Sequence, residues 1–225
     1  MSSSEPFQIL DGWIRVDSLV DTYAEIAENA FALFLGDVIH PAPLFHPQFN
    51  PDEFLNQDRQ KNINGIKTIV FSAMAIEAAA FDLAASQLGD KVATEYLDKM
   101  DLLGKWMIVP RLVCGRSLRE DGPAVNALRG LIKARNGLVH PKSKEWDRAG
   151  KAEVAMIDRW SKFEKDQVPN AFKTLVLLSL ELDALLNTLQ TILPSYEELR
   201  TPPRDPLVKD VVQRCRMIHR DASGG

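Results

Sequence analysis

The run 59–88 holds seven alanines, at Ala73, Ala75, Ala78, Ala79, Ala80, Ala84 and Ala85. Such a stretch reads as a long helix, and its small side chains allow neighbouring helices to approach closely. Elsewhere apolar residues also recur at three and four. Leu19, Val20, Tyr23, Ile26, Ala27, Ala30 and Phe34 predict a helix over 17–34, with Gly36 as a nearby stop. Between these helices, His40 to Pro51 carries four prolines and predicts a loop. A shorter helix is expected over 90–100, and another over 105–114 around Pro110, whose missing N–H should start, end or kink it. Pro123 suits the first turn of a helix reaching Val139. After a polar connection over 141–150, the pattern predicts a helix over 153–165. A long apolar helix then opens at Pro169 and ends before Pro194, and Pro202, Pro203 and Pro206 set off a short helix over 207–218 and a polar tail. No strand-like alternation and no internal repeat is visible, so the expected fold class is all-α, a helical bundle.

Composition narrows the function classes. With 225 residues, 45% hydrophobic and 26% charged, the chain has the makeup of one folded domain with extensions. Its net charge of −4 argues against coating a polyanion with the whole surface, so nucleic-acid contact must be local. Between Arg129 and Lys151 there are seven Lys or Arg residues against two acids, and this is the one place that suits it. Cys114 and Cys215 lie far apart with no Cys-x-x-Cys spacing, which predicts neither a disulfide framework nor a zinc knuckle and fits a reducing compartment. The N-terminus lacks a signal-peptide pattern. The apolar stretch 172–193 is interrupted by Ser179, Glu181, Asp183 and Asn187, unlike a membrane span. A cytoplasmic protein without membrane association is expected.

Several residues bear on chemistry. Glu77 shares a helix face with Val70, Ala73, Met74, Phe81 and Ala84, so a carboxylate sits in an apolar stripe and calls for a cation. In the helix opened by Pro123, Val125, Leu128 and Ile132 form the apolar stripe, and Arg135 follows three residues on, which makes it the matching cation. Glu77 and Arg135 then read either as a structural ion pair or as part of a site. Arg129, Lys133, Asn136 and His140 succeed one another at four, three and four, a positive stripe whose ordinary role is a solvated face.

The segment Arg135-Asn136-Gly137-Leu138-Val139-His140 brings two chemical abilities together. An arginine can stabilise phosphoryl charge, and a histidine can shuttle a proton near neutral pH, which suffices for metal-free RNA cleavage by the substrate's own 2′-hydroxyl. Asn136, four residues before His140, can orient the imidazole if the helix persists. Pro141 biases His140 away from helical backbone, so the helix should end there. Arg214 to His219 has the same bare spacing but lacks the asparagine directly after the arginine. A competing structural explanation is that Asn136-Gly137, flanked by Lys133, Arg135 and His140, simply terminates a helix.

Arg135-Asn136-x-x-x-His140 resembles the signature of the HEPN superfamily, whose name refers to nucleotide binding in higher eukaryotes and prokaryotes. Ala73-Met74-Ala75-Ile76-Glu77-Ala78, Leu103-Gly104-Lys105-Trp106 before Pro110, and Lys142 add to the likeness, which covers about residues 60 to 192. It implies a HEPN-like bundle over 59–193; outside the likeness, the helix pattern predicts a packed N-terminal extension of one helix and a proline-rich loop over 1–58, and a short helix and flexible tail over 194–225. It also implies a homodimer in which two motifs face a shared cleft, and a metal-independent endoribonuclease of toxin or antiviral-defence type. Such enzymes leave cyclic phosphate and 5′-hydroxyl ends. Under the resemblance Arg135 and His140 are catalytic and Asn136 and Glu77 support them; the cations Lys105, Arg129, Lys133 and Lys142 are the expected substrate-binding residues. RNA is the expected partner, beside a second copy and an antitoxin or other defence protein. No cofactor or metal is implied. The alternative is a catalytically silent helical module that binds RNA, a nucleotide or a protein.

Weaker candidates remain. His40 and His46 each precede proline but lack a third ligand. Trp106 beside Lys105 either stacks a base or belongs to the core.

Overall fold

A computed structural model describes residues 15–41, 50–140, 150–186, 192–197 and 205–223. Among these the chain is helical with no strand, as the apolar spacing predicts. Helix α1 (Val20–Ile39) passes through Gly36, and α2 (Pro51–Leu88) begins well before residue 59. The early start has a local cause. The Asn50 side chain accepts a hydrogen bond from the Asp52 N–H at 3.0 Å, Pro51 fills the first turn, and Asp52 and Glu53 sit at the positive end of the helix dipole. Most of the first three turns is exposed and so lacks the apolar spacing by which the rest is recognised.

Helix α3 (Asp90–Val92) continues as a π turn over Ala93–Leu97. Asp101 caps α4 (Leu102–Cys114) by accepting from the Gly104 N–H at 2.8 Å, and Gly115, at φ 72°, closes it in the left-handed conformation. Pro110 lies inside α4 rather than at either end. Helix α5 (Pro123–Val139) has the predicted bounds. Helix α6 (Lys151–Lys162) runs through a π turn, Phe163–Gln167, into α7 (Val168–Leu186) without a break at Pro169. Pro169 has no N–H to give, and the π turn just before it is where the helical ladder changes register. Helix α8 (Pro206–Ser223) is longer than the predicted short helix; Asp205 accepts from the Leu207 N–H at 2.8 Å at its start.

Helix α7 is buried almost all round, which makes it the axis of the assembly, with α2 beside it. Phe31 of α1 stacks on Phe172 of α7 at 4.7 Å between ring centroids, and Val208, Val212 and Cys215 bury one face of α8 in the same hydrophobic core. Two glycines allow close helix approach. A Cβ on Gly65 would lie 2.7 Å from the Phe163 ring, and one on Gly130 would lie 2.8 Å from the Asn170 amide nitrogen, which donates to the Ala127 carbonyl at 2.9 Å. Trp106 is fully buried, and its indole N–H donates to the Ile76 carbonyl at 3.2 Å, tying α4 to α2. It is therefore a core residue and not a free stacking platform. Among the described residues α2 is long and apolar enough to cross a membrane, but most of that stretch is buried within the protein.

Helix α6 differs from the others. It has no buried residue, and Val154, Met156, Ile157 and Trp160 are exposed along it.

Candidate functional site

The C-terminal end of α5 organises the site. Ala124, Val125, Leu128, Leu131 and Ala134 are buried and fix the helix against α7 and α2, leaving Arg129, Lys133, Asn136 and His140 on the exposed side. The helix does not stop at Asn136-Gly137. It continues to Val139, and the His140 N–H still donates to the Asn136 carbonyl at 3.0 Å before the backbone leaves helical geometry. Pro141, rather than the Asn-Gly pair, is the physical stop, because its ring disfavours helical backbone at the residue before it. Neither Asn136 nor Gly137 takes the left-handed conformation, so the Asn-Gly pair does not itself terminate the helix, although the motif occupies its last turns.

His140 and Lys133 line a pocket of about 260 Å³ together with Gly137 and Leu138. The opposite wall comes from α6 and the π turn, which contribute Arg159, Trp160, Phe163 and Gln167. No carboxylate is among its described lining residues. Nor does Lys133 or Arg159 have an ion-pair partner among the described residues. In a chain with 31 acids against 27 Lys and Arg, such a lining favours a negatively charged ligand.

Arg135 does not line this pocket. It is half-buried on a neighbouring face of α5, where its guanidinium donates to the Asn136 side-chain oxygen at 3.4 Å. Five residues on an ideal helix turn about 140°, so an Arg135 and its own His140 point to different sides. Arg129 is occupied elsewhere: it donates to the Glu120 carbonyl at 2.9 Å and to the Asn126 side chain at 3.0 Å, and pairs with the Glu120 carboxylate at 3.6 Å. Lys142 and His46 lie outside the described residues.

Glu77 and Lys105 occupy a different place. The cation that answers Glu77 is Lys105, at 3.6 Å, and Lys105 also contacts Asp98 at 3.2 Å. The expected pairing of Glu77 with Arg135 is not formed, and Glu77 does not anchor the motif helix through an ion pair. The physical reason is the rotation of α2: Ile69, Ala73, Ile76, Ala80 and Leu83 turn inward, while Met74, Glu77 and Phe81 fall on the margin and line a second pocket of about 470 Å³ with Lys105 and Arg15. Glu77 therefore stays half exposed and needs no buried partner, whereas the Lys105 stem is buried and only its ammonium reaches the two carboxylates. Both residues line this second pocket, and neither lines the one holding His140 and Lys133.

Arg159, Trp160 and Gln167 escape the sequence reading: Arg159 and Trp160 fall inside what the sequence presents as one ordinary helix over 153–165, and Gln167 falls between that helix and the one expected from Pro169. The adjacent arginine and tryptophan were the available signal, on a helix whose apolar residues Met156, Ile157 and Trp160 recur at helical spacing yet stay exposed. Among the described residues no three His, Cys, Asp or Glu side chains gather closely enough to hold a metal ion.

The fold and the site together define an all-α protein with a small cationic pocket at the end of one helix, with no carboxylate among its described lining residues. Comparison of the chain with protein-family models, with curated proteins and with solved structures returns no match.

Proposed function

We propose that the protein is a metal-independent endoribonuclease that works as a homodimer in the cytoplasm. The observation that carries this reading is the end of α5, where His140 and Lys133 face a pocket with no carboxylate among its described residues, and Arg135 stands on the next face with no acidic partner among them. Cations left without counter-charge in an acidic protein are suited to a phosphodiester. The divergence of Arg135 and His140 on one helix supports a composite site, because a two-fold axis can bring the arginine of one copy beside the histidine of the other.

In this mechanism one His140 imidazole takes the proton of the RNA 2′-hydroxyl as its oxygen attacks the adjacent phosphorus. Arg135 stabilises the charge of the five-coordinate phosphorane. The bond to the 5′-oxygen then breaks, and a protonated imidazole supplies the proton to the leaving oxygen, giving a 2′,3′-cyclic phosphate and a 5′-hydroxyl. The test is incubation with end-labelled RNA in EDTA. The wild type should cleave, and Arg135→Ala and His140→Ala should each lose about 100- to 10,000-fold in rate. Undiminished cleavage by either variant refutes the assignment. Because Arg135 has no described ion-pair partner, Arg135→Ala should unfold at the wild-type temperature, so that lost cleavage reports chemistry rather than folding.

A further inference from the structure

We infer that Trp160 and Arg159 form a nucleotide subsite beside His140, in which the indole stacks a single-stranded RNA base and the guanidinium holds a flanking phosphate. This inference rests on the proposed ribonuclease reading and assigns its substrate contacts to α6.

The first observation is the state of Trp160. The residue is 41% exposed, and its ring is held edge-on to the buried Phe163 ring at 5.3 Å and 85°. A large aromatic surface kept in a fixed orientation and open to solvent is what base stacking requires. The second observation is charge. Arg159 lines the same pocket as Lys133 and His140, and none of the described lining residues is acidic. Arg159 is in the last turn of α6, but the helix continues through the π turn, so there is no helix terminus there for it to complement. The third observation is size. At about 260 Å³ the pocket is slightly smaller than the roughly 300 Å³ at which small-molecule sites typically begin, and so suits no more than one ring system with its phosphate. Gln167 adds an amide able to donate to and accept from a base edge.

The test uses a fluorescein-labelled single-stranded RNA with 2′-O-methyl groups throughout, which cannot be cleaved by its own hydroxyl and so reports binding alone. Fluorescence anisotropy of the full chain should show Trp160→Ala weakening binding by roughly 5- to 100-fold, with Trp160→Phe recovering part of the loss. Arg159→Gln should weaken binding and reduce the slope of log affinity against log salt by about one. Tyr96→Ala, which removes another exposed aromatic that is not among this pocket's lining residues, should bind as wild type. Wild-type affinity in both Trp160→Ala and Arg159→Gln overturns the inference, as does a wild-type chain that does not bind the oligonucleotide. If Trp160→Ala also lowers the sedimentation mass, the ring belongs to a protein interface and the inference falls. The two proposals separate cleanly. Cleavage that depends on His140, with binding indifferent to Trp160 and Arg159, leaves the nuclease and removes the subsite. Binding that depends on both, with no cleavage of ordinary RNA, leaves the subsite and removes the nuclease.

Discussion

The same substitution, glycine to alanine, should have opposite signs at two helical positions. Gly65 lies in α2 where it crosses the π turn. An added Cβ would meet Phe163 Cζ at 2.7 Å, Phe163 Cε1 at 2.8 Å and Val168 Cγ2 at 2.9 Å. Real methyl groups do not approach carbon so closely, so something must move. Phe163 and Val168 are both buried, at 3% and 0% exposure, which leaves the ring and the methyl little room to retreat. Overpacking of this kind costs about 1–3 kcal/mol, and the better helix propensity of alanine returns about 1 kcal/mol. Gly65→Ala should therefore destabilise by up to about 2 kcal/mol, a fall in Tm of up to roughly 4–8 °C for a domain of this size. At Gly36 in α1 nothing lies within 4 Å of an added Cβ, so only the propensity gain applies and Gly36→Ala should stabilise by up to about 1 kcal/mol. Urea unfolding followed by far-ultraviolet circular dichroism measures both, and the midpoints should separate with unchanged slopes. A Gly65→Ala chain stabilised as much as Gly36→Ala would refute the close approach of α2 to the π turn.

Three other outcomes follow from named contacts. Lys105→Met should change stability by less than about 1.5 kcal/mol in urea unfolding, because Met keeps the buried stem while Glu77 and Asp98 are half exposed and regain water; Lys105→Ala should cost about 2 kcal/mol or more. If the two variants are equally destabilised, the ion pairs rather than the stem hold α4 in place. Trp106→Phe should cost about 2–3 kcal/mol by the same measurement, from the lost hydrogen bond to Ile76 and the space left by the smaller ring; a neutral result would place the indole outside the core. Burial pushes the Cys215 thiol up to about 11, from 9.0, so between those pH values the unfolded chain gives up a proton that the folded chain keeps. Stability should then fall by about 2–3 kcal/mol as pH rises from 9 to 11, and Cys215→Ala should flatten that decline. Lys61 acts in the same direction from its ordinary value upward. Burial opposes its charge, but hydrogen bonds and charge from Glu164 and Asp58 outweigh this and raise its pKa above the ordinary value of 10.5. Its stabilising contribution is therefore complete below that value and lost as pH rises through the raised one. With a thiol reagent at neutral pH, the half-exposed Cys114 should react in the native protein and Cys215 only on unfolding.

The helices were largely legible in the residues because their causes are local. Pro123 begins α5 and Pro141 ends it through the geometry of a single ring acting on adjacent backbone, and the apolar spacing of α7 announces a helix whatever surrounds it. Where a boundary depended on capping rather than spacing, as at Asn50-Pro51-Asp52, the exposed first turns of α2 concealed it from a search for apolar periodicity. Passage through Pro169 was also hidden, since only the π turn before it shows how the helix accommodates a residue without an N–H.

The candidate site divides in the same way. Residue order alone places Lys133, Asn136 and His140 along one side of α5, because four, three and four residues return a helix to nearly the same direction. Which cation answers Glu77 depends on how α2 is rotated in the bundle, and a few tens of degrees put that carboxylate at a half-exposed margin beside Lys105 instead of facing Arg135. The wall opposite His140 depends on where the chain returns after α5: Arg159, Trp160 and Gln167 are nearly twenty or more residues further on, and only the packing of the π turn against α5 brings them there. Periodicity carries direction around one helix axis. It carries nothing about the second axis, which is why tertiary packing decided the partners of a side whose residues were already known.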